Sequence, residues 1–114
     1  MRARLRDMPT EPESPDEFTF GGVKADLRRR VLHRGGEEIR LTTHEAGVLS
    51  YLISHRGKDV TREELLEKVW GYSPTMQTRT VDNQILKLRK KIEEVPADPR
   101  HILTIHGLGY RFEP

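Results

Sequence analysis

The strongest constraint in this 114-residue sequence is the segment Arg79 to Glu94, RTVDNQILKLRKKIEE. At about 100° per residue, Val81, Ile85, Leu88 and Ile92 fall within an arc of roughly 60°, which predicts a helix with one narrow aliphatic stripe. Such a stripe has to be buried, so the rest of the chain must supply a core for it. The remaining surface carries Arg79, Thr80, Asn83, Gln84, Lys87, Arg89, Lys90 and Lys91, and from Arg79 to Lys91 five cations face one anion, Asp82. Cations neutralise phosphates, Thr, Asn and Gln hydrogen-bond base edges, and a helix has the width that the major groove of DNA admits. The same pattern also describes a solvated face on an ordinary packed helix. The surrounding chain has to decide between the two.

With 34% hydrophobic and 33% charged residues, the chain supports one small domain around one core. A net charge of +2 is a weak argument for nucleic acid by itself; the concentration of cations on one helix is the stronger one. The absence of cysteine excludes disulfides, thiolate zinc sites and cysteine nucleophiles. His33, His44, His55, His101 and His106 lack metal-ligand spacing, and neither a phosphate loop nor a catalytic serine or carboxylate setting is present. Gly107 and Gly109 are too few for a nucleotide fingerprint. No enzyme, metal or cofactor is therefore expected. No apolar run approaches the roughly 20 residues of a membrane span, and the N-terminus lacks a signal-peptide core, so a cytoplasmic protein with no membrane association is expected.

Residues 1–17, MRARLRDMPTEPESPDE, carry Pro9, Pro12 and Pro15 among acidic and small polar residues and read as a linker. Their start, MRARLR, looks like the last turn of a basic helix belonging to something upstream. The folded domain is expected over residues 18–114. From Phe18 to Leu41, short apolar groups separated by Gly21-Gly22 and Gly35-Gly36 predict an antiparallel meander of three or four strands. Thr42 and Glu45 have the spacing of a reciprocal capping box, opening a helix from about Thr43 to His55 with Ala46, Leu49, Leu52 and Ile53 inward. Gly47 inside it costs about 1 kcal/mol and points to close packing. The same box recurs at Thr61 and Glu64, opening a second helix that runs to Trp70 and stops at Gly71. A loop, YSPTMQT, leads into the cationic helix, and VPADPR ends that helix after Glu94. Ile102 to Phe112 holds two apolar or aromatic runs around a glycine-bearing turn, a terminal β-hairpin. The order is that of an α+β winged helix-turn-helix, whose last helix enters the major groove while the hairpin reaches the minor groove or the backbone.

The segments LTTHEAGVLSYL, VTREELLEKVWG, TRTVDNQILKLRKKIE and ILTIHGLGYRF resemble, in order and spacing, the effector domain of OmpR/PhoB-type bacterial response regulators. The resemblance spans Phe18 to Phe112. It implies an N-terminal four-stranded sheet, three helices and a C-terminal hairpin. It also implies a transcription factor of a two-component phosphorelay, in which a receiver domain precedes this module and promotes dimerisation; here the receiver is absent from the chain. The implied partners are double-stranded DNA, bound as direct-repeat half-sites by a domain that is monomeric alone and dimeric on DNA, and RNA polymerase at the loop 71–78. A plain connector is the alternative for that loop, and Trp70 at its start reads as core.

Residue by residue, the resemblance assigns Thr80, Asn83 and Lys87 to base edges, Arg79, Gln84, Arg89, Lys90 and Thr104 to the DNA backbone, and His106 to the minor groove. Arg89 is also at helical spacing to pair with Asp82 or Glu93. Asn83 suits bidentate pairing with adenine. Leu86 lies about 140° from the stripe, on the face that should meet DNA, where a thymine methyl or sugar contact competes with an idle exposed leucine. His106 stands where relatives often carry arginine, and a neutral imidazole is a poor substitute, so wing binding is expected to be weaker and pH-dependent. A winged helix used only for protein contact is the competing reading, because the fold alone does not guarantee DNA binding.

Overall fold

Short runs separated by tight turns satisfy their backbone most cheaply by pairing with the next run along the chain. The computed structural model, which describes residues 16–71 and 77–114, has that arrangement in its first part. Strands β1 (Glu17–Phe20), β2 (Val23–Asp26), β3 (Val31–Arg34) and β4 (Glu37–Arg40) form an antiparallel sheet in sequence order. Ala25 pairs with Phe18 on one side and Leu32 on the other. Phe20, Val23, Ala25 and Leu32 are buried on its inner face. The fold begins slightly before the expected boundary: Glu17 pairs with Asp26, and Leu27 N donates to Asp16 O at 2.8 Å. Backbone pairing is indifferent to the acidic side chains that made these residues look like linker. The rest of the expected linker lies outside the described residues.

Helix α1 (Thr43–Ser54) starts at the expected capping box, with Thr42 N donating to Glu45 Oε1 at 2.8 Å and Glu45 N to Thr42 Oγ1 at 3.1 Å. Besides Ala46, Leu49, Leu52 and Ile53 it buries Val48 and Glu45, because this helix is packed on more than one side. A Cβ added to Gly47 would stand 2.9 Å from Val69 Cγ1, which explains the internal glycine by contact with the second helix.

That second helix departs from expectation in two ways. It begins as α2 (Arg62–Leu65) but widens into a π-helical turn, Leu66–Trp70, before Gly71. Leu65, Leu66, Val69 and Trp70 fit either periodicity over so short a stretch, so their spacing does not distinguish the two. The capping box is only half made: Glu64 N donates to Thr61 Oγ1 at 3.0 Å, but the Glu64 carboxylate accepts from the Tyr51 hydroxyl of α1 rather than reaching back to Thr61. A neighbouring phenol outcompetes the local amide.

Helix α3 (Arg79–Ile92) buries its stripe completely: Val81, Ile85 and Leu88 are 0% exposed and Ile92 is 2% exposed. It stops two residues before the expected end. Glu93 is extended and buried, its carboxylate accepting from the backbone amides of Arg100 (2.8 Å), His101 (3.0 Å) and Ile102 (2.8 Å). Three amide donors compensate the burial of one charge, and they outweigh another turn of helix.

The hairpin strands β6 (Ile102–Ile105) and β7 (Gly109–Phe112) form as expected, but the sheet has a third member, β5 (Asp59–Thr61), giving the order β5, β7, β6. Three residues are too few for an alternation to register, and the last of them reads first as a helix cap. Gly109 makes the pairing possible: a Cβ there would sit 2.1 Å from Val60 O. The two sheets join through aromatic rings, with Phe20 edge-on to Phe112 at 5.0 Å and Phe18 to Phe112 at 6.2 Å between centroids.

Candidate nucleic-acid interface

Burying the aliphatic stripe of α3 turns the opposite side of the helix outward. Arg79, Asn83, Lys87 and Lys90 are exposed there, Thr80 is half-buried at the first turn, and Leu86 is 55% exposed. Gln84 is half-buried, and its Oε1 is enclosed without a hydrogen-bond partner, so the carbonyl end of this side chain does not lie on the open face.

Two of the five cations are not free. Lys91 Nζ donates to Glu45 Oε1 at 2.6 Å and to Arg40 O at 2.8 Å, tying the end of α3 to the cap of α1 and to β4. Burial opposes the charged form of Glu45, but Lys91 and the Thr42 amide and hydroxyl outweigh it and hold the carboxyl below its ordinary pKa. Arg89 pairs with neither Asp82 nor Glu93. It donates through Nε (3.1 Å) and Nη2 (2.8 Å) to Ile102 O and through Nη2 to Thr104 Oγ1 (2.8 Å), with its guanidinium 5.6 Å from the centre of the Tyr110 ring. Both alternative carboxylates are engaged elsewhere, and a planar fork suits a carbonyl and a hydroxyl on one strand. Thr104, assigned to the DNA backbone, is thus an acceptor for Arg89. Arg79, Lys87 and Lys90 form no ion pair among the described residues.

Asp82 makes a second knot. Its Oδ1 accepts from Arg62 Nε of α2 at 2.8 Å and from the Tyr110 hydroxyl of β7 at 2.7 Å. Burial, then the hydrogen bond to Asp82, lift the Tyr110 phenol above its ordinary pKa, so it stays a donor. Arg89 and Asp82 thus join α3 to the hairpin at two points, one near each end of the helix. Arg62, Asp82, Tyr110 and Glu93 are the residues that sequence reasoning missed in this role. The partners of Asp82 are 20 and 28 residues away, and those of Glu93 lie 7 to 9 residues on, past the end of α3 where no helical spacing applies.

The tip of the hairpin, His106 to Leu108, is exposed and projects beyond the β6–β7 ladder. Beneath it Arg111 Nη1 reaches Asp59 Oδ1 of β5 at 3.1 Å. The expected polymerase loop, 71–78, lies largely outside the described residues. Trp70 at its edge is half-buried, stacked on His44 at 4.8 Å. No cluster that could hold a metal ion occurs among the described residues, and no described helix is long and apolar enough to cross a membrane.

An outward helix face of amides, a hydroxyl and three free cations, rigidly joined to a projecting hairpin, has the shape and charge to lie in a groove of duplex DNA. Comparison with known proteins points the same way. Residues 36–112 match the family described as "Transcriptional regulatory protein, C terminal". The KDP operon transcriptional regulatory protein KdpE of Escherichia coli is 41% identical over 116 residues, covering 98% of this chain and 52% of KdpE. The chain thus spans about half the length of such relatives. Among solved structures, the response regulator DrrB of Thermotoga maritima, described as an OmpR/PhoB homologue, superposes with a TM-score of 0.76 at 38% identity, over 86% of this chain and 44% of DrrB. The DNA-binding domain of RstA from Klebsiella pneumoniae, solved in complex with the RstA box, gives 0.75 at 32% identity, over 88% and 99%.

Proposed function

Because the chain belongs to the family of C-terminal domains of transcriptional regulatory proteins, we propose that it binds specific sequences of double-stranded DNA as the output domain of a two-component response regulator in the cytoplasm. The observation that carries this reading is the exposed face of α3, held against the hairpin by Arg89 and Asp82. In it α3 lies in the major groove with Thr80, Asn83 and Lys87 toward base edges and Arg79 and Lys90 on phosphates, while His106 enters the adjacent minor groove. Gln84 joins the backbone contacts only through its amide nitrogen. Arg89 and Thr104 act by positioning the wing. Two domains sit head to tail on direct repeats, a receiver domain supplies the phosphorylation input, and the loop 71–78 faces RNA polymerase.

The test is selection of bound duplexes from a random pool, followed by titration of the selected site over a range of salt concentrations. About three to four phosphate contacts predict a slope of log affinity against log salt of roughly −3 to −4. Affinity independent of salt, or no enrichment of any sequence, would overturn the reading in favour of a protein partner.

A further inference from the structure

We propose that Leu86 is a specificity determinant, reading the C5 methyl of a thymine in the major groove next to the base read by Asn83; this rests on the DNA reading above. Leu86 is 55% exposed although the aliphatic stripe on the far side of α3 is fully buried, so it contributes nothing to the core. Asn83 three residues before it and Lys90 four residues after it share its side of the helix and are both exposed. The other large exposed hydrophobics among the described residues, Val95 and Leu108, belong to the segment after α3 and to the hairpin turn. A single leucine ringed by polar and cationic side chains is too small a patch for a protein interface. It matches the one apolar group that DNA presents in the major groove, the thymine methyl.

The helical rise fits the same assignment. Asn83 and Leu86 are about 4.5 Å apart along the axis, close to the 3.4 Å step between base pairs, so the two side chains address neighbouring positions. Asn83 offers a donor and an acceptor to adenine, and Leu86 offers a surface without polar groups. Together they favour an A·T-containing step in the bound sequence. Replacing the leucine with a polar side chain would remove the discrimination while leaving the phosphate contacts of Arg79 and Lys90 in place.

The experiment replaces each thymine of the selected duplex, one at a time, by uracil, which deletes only the methyl group. Affinities are measured for the wild type and for Leu86→Ala. At one position uracil is expected to weaken the wild type about three- to fivefold and to leave Leu86→Ala unchanged, the loss expected for about one buried methyl. The salt slope and thermal midpoint of the variant should match the wild type, since the side chain is exposed and uncharged. If every uracil substitution affects both proteins equally, the assignment fails while the DNA reading stands. If neither protein binds duplex DNA with salt dependence, both fail.

Discussion

Asp82 is the residue through which the recognition helix, the second helix and the wing meet. Removing its carboxylate leaves the hydroxyl of buried Tyr110 without its acceptor, while the partly exposed Arg62 guanidinium returns to water, so Asp82→Ala is expected to cost about 1 kcal/mol, read from denaturant unfolding. Tyr110→Phe removes one donor and leaves the Arg62 pair intact, and should cost less. The Glu45–Lys91 pair predicts a pH dependence of definite sign. A carboxyl whose folded pKa is depressed contributes stability above its unfolded pKa, and that contribution disappears as pH falls through the folded value. The stability difference between the wild type and Lys91→Met should therefore be largest near neutral pH and shrink as the pH falls below the ordinary carboxylate range. A difference that stays constant over that range would rule out an ionic role. These residues also mark where sequence reading stops. Charge patterns on a helix predict partners three or four positions away, whereas Arg89 and Lys91 are held by groups 13 and 46 residues distant. From sequence, therefore, Lys91 reads as a free cation and Arg89 as a phosphate contact or a partner of Asp82 or Glu93.

At the level of elements, α3 was legible because its period, its four aliphatic positions and its flanking breakers agree, and the meander because its turns fall at regular intervals. The cap of α1 was legible for the same kind of reason, a local pattern with one partner. The π-turn and β5 were not, since both are created by packing rather than by composition. In the first, Val69 closes on Gly47; in the second, Val60 comes against a strand that lacks a side chain at Gly109. Gly109→Ala tests the second contact. The added methyl collides with Val60 O, so β5 should separate from β7, with faster amide exchange at Val60 and Tyr110 and a loss of about 2 kcal/mol or more. Unchanged exchange there would show that the strands can shift without parting.

Across the whole molecule, the proposed DNA binding rests on Arg79, Lys87 and Lys90, which form no ion pair among the described residues, and on the joint that presents them. Charge number and geometry can be separated by two variants. Lys90→Ala should reduce the salt slope by about one, whereas Arg89→Ala should leave the slope nearly unchanged while weakening affinity, because Arg89 is engaged with Ile102 and Thr104. A slope reduced by about one in Arg89→Ala would return that residue to the phosphate-contacting set.

The joining of β1 to β7 through Phe18, Phe20 and Phe112 bears on how the protein is made. The first strand of the sheet packs against a side chain far along the chain, Phe112, and β7 is also the central strand between β5 and β6. A nascent chain in which Phe112 is still held in the ribosome lacks the ring that closes β1 onto the second sheet. Folding of the whole domain is therefore expected to wait until Phe112 is free to pack, and a chain cut after Leu108 should remain uncooperative in thermal unfolding.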